Sequence, residues 1–363
     1  MFVAFCPMFR AVVGVARVGA WAASWRIITE PGDVLCHDGR IEAAGPDLYA
    51  RGAEVVDADG AWITPGFVDL HTHYDAELLV APGLEESVRH GVTTIMTGSC
   101  SLSIVYSDPL DAADQFSRVE ALPYEPTLEI LKENKTWRNS EEWVQALNNL
   151  ALGPNIASLI GHGTVRGQVM GGSLRRPPNI TELGAMQKHI DQAMRDGALG
   201  MSTGLIYLPG VFAHTDELVA LSKTVAAHGG IYVSHMRSEG TNIFNAIDEV
   251  CTIAEQAKLP AHISHLKLAG RPMWGKHPQL LARLDKARAE GIRLTHDQYA
   301  YTASSTSLHQ LLPDALIVGG AKAFSQRIKG AKTHRETVAW MKDRLHRRQR
   351  EDYSYAVIAY HKK

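Results

Sequence analysis

Two histidines separated by one residue follow a short apolar run in the stretch Thr64-Pro-Gly-Phe-Val-Asp-Leu-His71-Thr-His73. Side chains at positions i and i+2 of a strand point the same way, so His71 and His73 can face one side of a strand end. Two imidazoles placed in this way are the first two ligands that a divalent metal needs. The spacing therefore predicts a metal site. The nearby Asp75 either supports the ligands or is an ordinary polar loop residue.

A cysteine and two further histidines follow other β-rich runs. Cys100 lies in the turn Thr97-Gly-Ser-Cys, where a thiolate could coordinate or bridge metals, whereas Cys251 is expected to be a small buried residue of a helix. His235 and His265 end consecutive predicted strands in matching contexts, Val-Ser-His-Met-Arg and Ile-Ser-His-Leu-Lys. Ligation by Cys100, His235 and His265 would leave a fourth position for water, as in a catalytic zinc site. A thiolate–imidazole set favours zinc over magnesium or calcium.

Other polar residues at strand ends are weaker candidates. His162 could face a substrate or hydrogen-bond a loop, and both interpretations stay open. Asp297 ends the last predicted strand; if it points into the site, His296 points away, and Asp297 becomes a candidate general base. The histidines on predicted helices and loops are expected at the surface: His189, His214, His228 and His277.

The elements that must position these residues repeat one pattern, an apolar-faced helix, a glycine or proline stop, and a short β-rich run. In one unit Leu218, Leu221 and Val225 share a helix face, Gly229-Gly230 ends the helix, and the strand 231–234 follows. Strands that alternate with helices at about thirty residues per unit are typical of right-handed βαβ units and a parallel sheet.

The number of strands decides between architectures. A closed (β/α)8 barrel needs eight strands and carries its active site at their carboxyl ends. A doubly wound sheet is the rival, but no Gly-x-Gly-x-x-Gly turn follows the first strand. We therefore predict an α/β fold, a (β/α)8 TIM-like barrel that is incomplete, with about seven strands. The predicted strands are 67–71, 93–97, 156–161, 198–202, 231–234, 262–264 and 293–297.

The two ends of the chain are predicted to add further segments. Residues 1–30 are an atypical N-terminal segment, and residues 31–62 are a partial small β domain with a hairpin turn at Asp38-Gly39. The barrel takes residues 63–363, of which 308–363 form a helical, lid-like insertion whose basic residues lie on a solvated face. The pattern also allows a short edge strand at 353–360.

The overall composition excludes several classes of protein. The 363 residues carry a formal net charge of −2, so no basic excess is available to neutralise nucleic-acid phosphates. Four cysteines are too few for a disulfide framework, and no run of about eighteen apolar residues indicates a membrane span. Because Arg10 and Arg17 interrupt the apolar start of the chain, a signal peptide is not favoured and a cytoplasmic location is expected.

Seven runs of the sequence together resemble one protein family. Their order and combination are similar to those of the N-acyl-D-amino-acid deacylases (D-aminoacylases), a branch of the amidohydrolase superfamily in which a cysteine replaces a carbamylated lysine. The resemblance implies hydrolysis of linear amide bonds in small N-acyl-D-amino acids. The runs are TPGFVDLHTHYDAE, GVTTIMTGSCS, IGHGTVR, GALGMSTGLIYLPG, YVSHMRSEG, ISHLKLAG and DQYAYTASST.

The resemblance also implies roles for nine residues of this sequence. One or two zinc ions would be held by five ligands, namely His71, His73, Cys100, His235 and His265. Contacts to the substrate would come from Tyr207, Lys267, Tyr299 and Ser305.

Some features that the family implies are not found in this sequence. The family has an eighth strand that ends in Gly-Ser-Asp, whose aspartate is a metal ligand and proton shuttle, but no Ser-Asp follows Ser305 here. No catalytic residue is therefore assigned, and the chain is expected to be C-terminally truncated and to lack the family's opening strand in residues 1–30. Two alternatives stay open, an inactive fragment or degenerate paralogue that binds metal without turnover, and a cyclic-amide hydrolase of the hydantoinase or dihydroorotase type.

Overall fold

The computed structural model describes residues 14–18, 20–23, 26–28, 32–38, 40–49, 52–57, 59, 61–171, 175–317 and 320–358. Within these ranges the chain forms two small N-terminal sheets, a large sheet whose strands are joined by helices, and a C-terminal group of helices. None of the helices in these ranges has the length and apolar character needed to cross a membrane.

Seven short strands make up the two N-terminal sheets. They are β1 (Gly14–Val18), β2 (Ala20–Ala23), β3 (Arg26–Ile28), β4 (Gly32–His37), β5 (Arg40–Gly45), β6 (Glu54–Asp57) and β7 (Trp62–Ile63). The first sheet has the order β5-β4-β1-β6 and the second has the order β3-β2-β7. Asp38, with a left-handed φ of 48°, lies in the predicted turn between β4 and β5.

The structure confirms the small β unit but changes the expectation for the start of the chain. No strand was predicted in residues 1–30, but β1 lies there and pairs antiparallel with β4 and parallel with β6. Backbone pairing with two neighbours makes this strand part of the sheet. Residues 1–13 lie outside the described residues.

Seven parallel strands form the main sheet, and their order in space follows their order in the chain. They are β8 (Phe67–Asp69), β9 (Val92–Thr97), β10 (Asn155–Gly161), β11 (Gly200–Gly204), β12 (Ile231–His235), β13 (Ala261–Ile263) and β14 (Leu294–His296). Strands β8 and β14 are the two edges, yet His71 Nδ1 after β8 lies 3.0 Å from Asp297 Oδ2 after β14. The sheet therefore curls, and the predicted α/β fold, an incomplete (β/α)8 barrel of seven strands, is confirmed.

Helices connect successive strands of this sheet. They are α1 (Glu85–Arg89), α2 (Pro109–Val119), α3 (Tyr124–Asn134), α4 (Ser140–Asn148), α5 (His162–Met170), α6 (Ile180–Arg195), α7 (Thr215–Ala227), α8 (Ile243–Ala257) and α9 (His277–Ala289). In α8, Ile243, Ile247 and Val250 recur at helical spacing and are buried. Burying each such side chain contributes about 1.5–3 kcal/mol, so this face holds the helix against the core.

Helices also follow β14, namely α10 (Asp314–Ile317), α11 (Gly320–Ile328) and α12 (Ala331–Arg347). The last turn of α12 carries Arg344, His346 and Arg347, where positive charge interacts favourably with the helix dipole. Residues 353–358 contain a bend and a turn at 353–355 and no strand, in contrast to the predicted edge strand; Ser354 N donates to Asp352 Oδ1 at 2.9 Å and closes a local turn. Residues 359 and 360 lie outside the described part of the chain, and the predicted domain bounds stay predictions.

Candidate metal centre

A cavity of about 460 Å³ lies at the carboxyl ends of the strands of the main sheet. It is lined by residues that follow β8, β9, β11, β12, β13 and β14, because the carboxyl ends of parallel strands meet at one end of a barrel. All nine residues predicted as ligands or substrate contacts line this cavity: His71, His73, Cys100, Tyr207, His235, His265, Lys267, Tyr299 and Ser305.

Cys100 lies at the centre of the five predicted ligands. Its Sγ is 3.2 Å from His71 Nε2 and 3.5 Å from His265 Nε2. The described residues contain two groups with donor atoms within 4.8 Å of one another, His71–His73–Cys100 and Cys100–His235–His265. Since both groups share Cys100, one thiolate could contribute to two metal positions.

The donor atoms of the cluster fit a bound cation better than they fit one another. His73 Nδ1 and His235 Nε2 are buried and have no hydrogen-bond partner among the described residues, and His235 Nδ1 lies only 2.8 Å from His265 Nε2. A buried polar atom without a partner costs about 1–3 kcal/mol. Burial, together with the charges of His71 and His265, lowers the pKa of His73 to about 3, which keeps it neutral, the form that binds metal.

The protonation of the Cys100 thiol also indicates that the cluster suits a bound cation. Burial raises its pKa well above the ordinary value, and the carboxylates of Glu120 and Asp297 raise it further. A metal ion deprotonates a coordinating thiol outright. The residues present therefore fit zinc. A bound zinc ion would convert the Cys100 thiol to the thiolate that coordinates the metal.

A left-handed turn aims Cys100 into the cavity. Gly98 has a φ of 77° and Cys100 a φ of 52°, and a Cβ atom at Gly98 would come within 2.1 Å of Leu159 O. The buried Ser202 hydroxyl accepts from Ser101 N at 3.0 Å and donates to Gly98 O, so one side chain holds both ends of the turn. Ser202 belongs to β11, so this strand supports the strained backbone of the turn.

Asp297 lines the cavity, which is one of the two orientations that the sequence left open, and its carboxylate is occupied by neighbours. Its Oδ2 atom is 3.0 Å from His71 Nδ1 and 3.0 Å from His262 Nε2, and its Oδ1 accepts from the backbone N of His265. Burial alone would raise the pKa of Asp297, but these hydrogen bonds outweigh burial and hold the pKa well below its usual range. This geometry favours a role in orienting His71, whose other nitrogen faces Cys100. The half-buried His296 is not among the residues lining the cavity.

Sequence reasoning missed three residues of the site. Glu120 Oε1 lies 3.4 Å from His73 Nε2, and burial raises the pKa of Glu120 to about 7. Glu239 contacts both His265 and Lys267, and His262 contacts Asp297. Glu239 follows His235 by four residues in one of the motif runs, which is a usable signal, whereas Glu120 ends a helix far from any motif.

The four predicted substrate-contact residues all line the cavity. The Tyr207 ring packs 4.8 Å from the His235 ring, and burial raises the pKa of Tyr207 above its ordinary value, so its hydroxyl stays a hydrogen-bond donor. Lys267 Nζ lies 5.2 Å from the ring centre of Tyr299. Ser305 lies in the segment after β14, which also lines the cavity. These positions agree with the predicted roles, which stay predictions.

His162 does not line the cavity. It is completely buried, and its Nε2 lies 2.9 Å from Glu217 Oε1, whose second oxygen is 2.6 Å from Arg166 Nη1. Of the two interpretations left open for His162, the structure favours an internal hydrogen bond. Asp75 is also buried; its Oδ2 accepts from Gly98 N at 3.4 Å, and burial raises its pKa to about 7.

The remaining predictions for histidine and cysteine are mostly confirmed. Cys251 is buried within α8 as predicted. The histidines exposed as predicted are His214, His228 and His277. His189 is instead half-buried, since its ring packs 4.7 Å from the ring of Tyr106.

Comparisons with known proteins agree on one family. A protein-family model described as the amidohydrolase family matches residues 54–344. The D-aminoacylase of Alcaligenes xylosoxydans xylosoxydans is 35% identical over 292 residues, which are 79% of this chain and 57% of that enzyme. A crystal structure of D-aminoacylase has 32% identity and a TM-score of 0.70, over 81% of this chain and 60% of that chain.

A third relative was solved with ligands. N-acyl-D-glutamate deacylase from Bordetella bronchiseptica, complexed with zinc and a phosphonate mimic of the tetrahedral intermediate, has 28% identity and a TM-score of 0.71, over 82% of this chain and 60% of that chain. The chain thus spans between 57% and 60% of the length of these three relatives.

Proposed function

We propose that this chain, which belongs to the amidohydrolase family, is a zinc-dependent hydrolase. Its reaction would remove the acyl group from N-acyl-D-amino acids. The observation that carries the proposal is the pair of donor groups that share Cys100 at the carboxyl end of the sheet. Thiolate and imidazole donors with buried, unpartnered nitrogens suit zinc.

The proposed ligands divide into two sets. Cys100, His235 and His265 would hold one zinc ion, and His71 and His73 with Cys100 would hold a second. When bound, zinc supplies a Lewis acid that polarises a carbonyl group and lowers the pKa of a coordinated water.

The protein's own residues would bind and orient the amide substrate. The Lys267 ammonium offers the positive charge that a substrate carboxylate needs. The Tyr207 hydroxyl, kept protonated by burial, offers a hydrogen bond to an oxygen that becomes negative during attack. Asp297 would hold the imidazole of His71 in place through its hydrogen bond to Nδ1.

The D-amino-acid specificity is supported by the relatives. Proteins named D-aminoacylase and N-acyl-D-aspartate deacylase are 35% and 34% identical to this chain over three quarters or more of its length. The zinc complex of the N-acyl-D-glutamate deacylase supports the choice of metal.

The test combines metal analysis with a stereospecific assay. The zinc-loaded chain should release acetate from N-acetyl-D-leucine but not from N-acetyl-L-leucine, and a Cys100→Ala variant should lose both zinc and activity. Bound zinc without acetate release would contradict the proposal and support a metal-binding protein without turnover. Hydrolysis of hydantoin or dihydroorotate instead would support the cyclic-amide alternative.

A further inference from the structure

The carboxylate of Glu239 lies between a proposed zinc ligand and a proposed substrate contact. Its Oε1 atom is 2.5 Å from His265 Nδ1, and the same atom accepts from Lys267 Nζ. The backbone oxygen of Glu239 accepts from Ala269 N at 2.8 Å, which ties the loop after β12 to the loop after β13. With 19% of its side chain exposed, Glu239 is positioned by both loops.

The two ring nitrogens of His265 face different partners. Nε2 lies 3.5 Å from Cys100 Sγ and points into the donor cluster, whereas Nδ1 faces Glu239. A neutral imidazole binds metal through the nitrogen that carries no proton, so ligation through Nε2 requires the proton on Nδ1. A carboxylate that accepts from Nδ1–H stabilises this tautomer.

Lys267 would favour the opposite tautomer if it acted alone. Its Nζ is 3.1 Å from His265 Nδ1. An ammonium group has only donors, so it would require a lone pair on Nδ1 and leave the proton on Nε2, where it blocks ligation. Because Glu239 accepts from both groups, the lysine and the imidazole can each keep their proton.

We propose that Glu239 is a positioning residue that selects the metal-binding tautomer of His265 and holds Lys267 towards the substrate. This inference rests on the proposed function, since it takes His265 as a ligand and Lys267 as a substrate contact. Glu239 acts through these two residues, and its removal affects zinc binding before any substrate is present.

The experiment measures zinc affinity of the full chain by competition with a chromogenic chelator. Glu239→Gln keeps the size of the side chain but removes its charge, and we expect zinc binding to weaken by about 10–100-fold. Glu249→Gln is the matched control, because Glu249 pairs with Arg237 at 3.0 Å and does not line the cavity; its zinc affinity should change by less than about 10-fold.

A second substitution separates the tautomer role from a general loss of structure. In the double variant E239Q/K267A the competing ammonium is gone, so zinc affinity should recover at least partly relative to E239Q. Thermal unfolding of the zinc-free variants shows whether each is folded, and Glu239→Asp, which keeps the charge, should bind zinc more tightly than E239Q.

The outcomes are distinct from those for the proposed function. Zinc affinity of E239Q equal to that of the native chain, or no recovery in the double variant, would overturn the role of Glu239. If the native chain binds zinc but hydrolyses no N-acetyl-D-leucine, the proposed function fails while the weaker zinc binding of E239Q still supports the role of Glu239. A native chain that binds no zinc would overturn both.

Discussion

Replacing Glu217 by glutamine should destabilise the protein strongly, because it leaves a buried arginine without its counter-charge. Arg166 is completely buried, and its Nη1 lies 2.6 Å from Glu217 Oε2. Glu217 is itself 4% exposed, and its second oxygen lies 2.9 Å from His162 Nε2. Both groups lie outside the metal centre, so the effect reports on folding alone.

The expected loss follows from the burial of this pair. Removing one partner of a buried ion pair costs about 3–5 kcal/mol of unfolding free energy. Because glutamine keeps an oxygen that can accept from Arg166, we expect a loss near the lower limit, about 3 kcal/mol. Burial alone would raise the pKa of Glu217, but hydrogen bonding to His162 and the charges of His162 and Arg166 lower it below its ordinary value of 4.5. The stabilisation is therefore complete above pH 4.5 and is lost as the pH falls towards the lowered pKa of the folded state.

Urea unfolding followed by circular dichroism measures both quantities. At neutral pH the free energy of unfolding of E217Q should be about 3 kcal/mol lower than that of the native chain. This difference in unfolding free energy should narrow below pH 4.5, because only the native chain carries the titrating carboxylate. Glu249→Gln is the control, since its partner Arg237 is 31% exposed and can regain contact with water, so the loss of unfolding free energy should be smaller than in E217Q. A loss in E217Q no larger than in E249Q, or a difference that widens in acid, would refute this reasoning.

Three further outcomes follow from the turn that carries Cys100. Ser202→Ala removes a hydroxyl that bonds to the backbone on both sides of Cys100, so urea unfolding should show a loss of about 1–3 kcal/mol; an unchanged midpoint would contradict this. Gly98→Ala places a Cβ 2.1 Å from Leu159 O and should abolish soluble expression. Its control is Gly291→Ala, where φ is 90° and nothing lies within 4 Å of the added Cβ, so the free energy of unfolding should fall by only about 1–2 kcal/mol. Cys100→Ala should remove all bound zinc in elemental analysis, because both donor groups share this sulfur, and retention of one equivalent would show that a site forms without it.

Local patterns in the sequence were sufficient to predict the main sheet. Helical spacing of apolar residues, glycine stops and β-rich runs predicted seven strands, and each observed strand overlaps its predicted range. The ligand candidates could be found for the same reason, because His235 and Cys100 lie at or just beyond the ends of such runs. A residue at a strand end of a parallel sheet has its place set by chain direction alone.

Other features depend on contacts that no local pattern encodes. The motif runs were enough to predict the four histidines and the cysteine that line the cavity, whereas the contacts of Glu120 with His73 and of Asp297 with His71, and the pairing of β1, appear only in the folded chain. Glu120 and His73 are far apart in the chain, and their side chains meet only because the fold brings the end of α2 and the loop after β8 to the same cavity. The angle between two packed elements comes from the fit of their side chains, and that fit is a property of the whole core rather than of either segment.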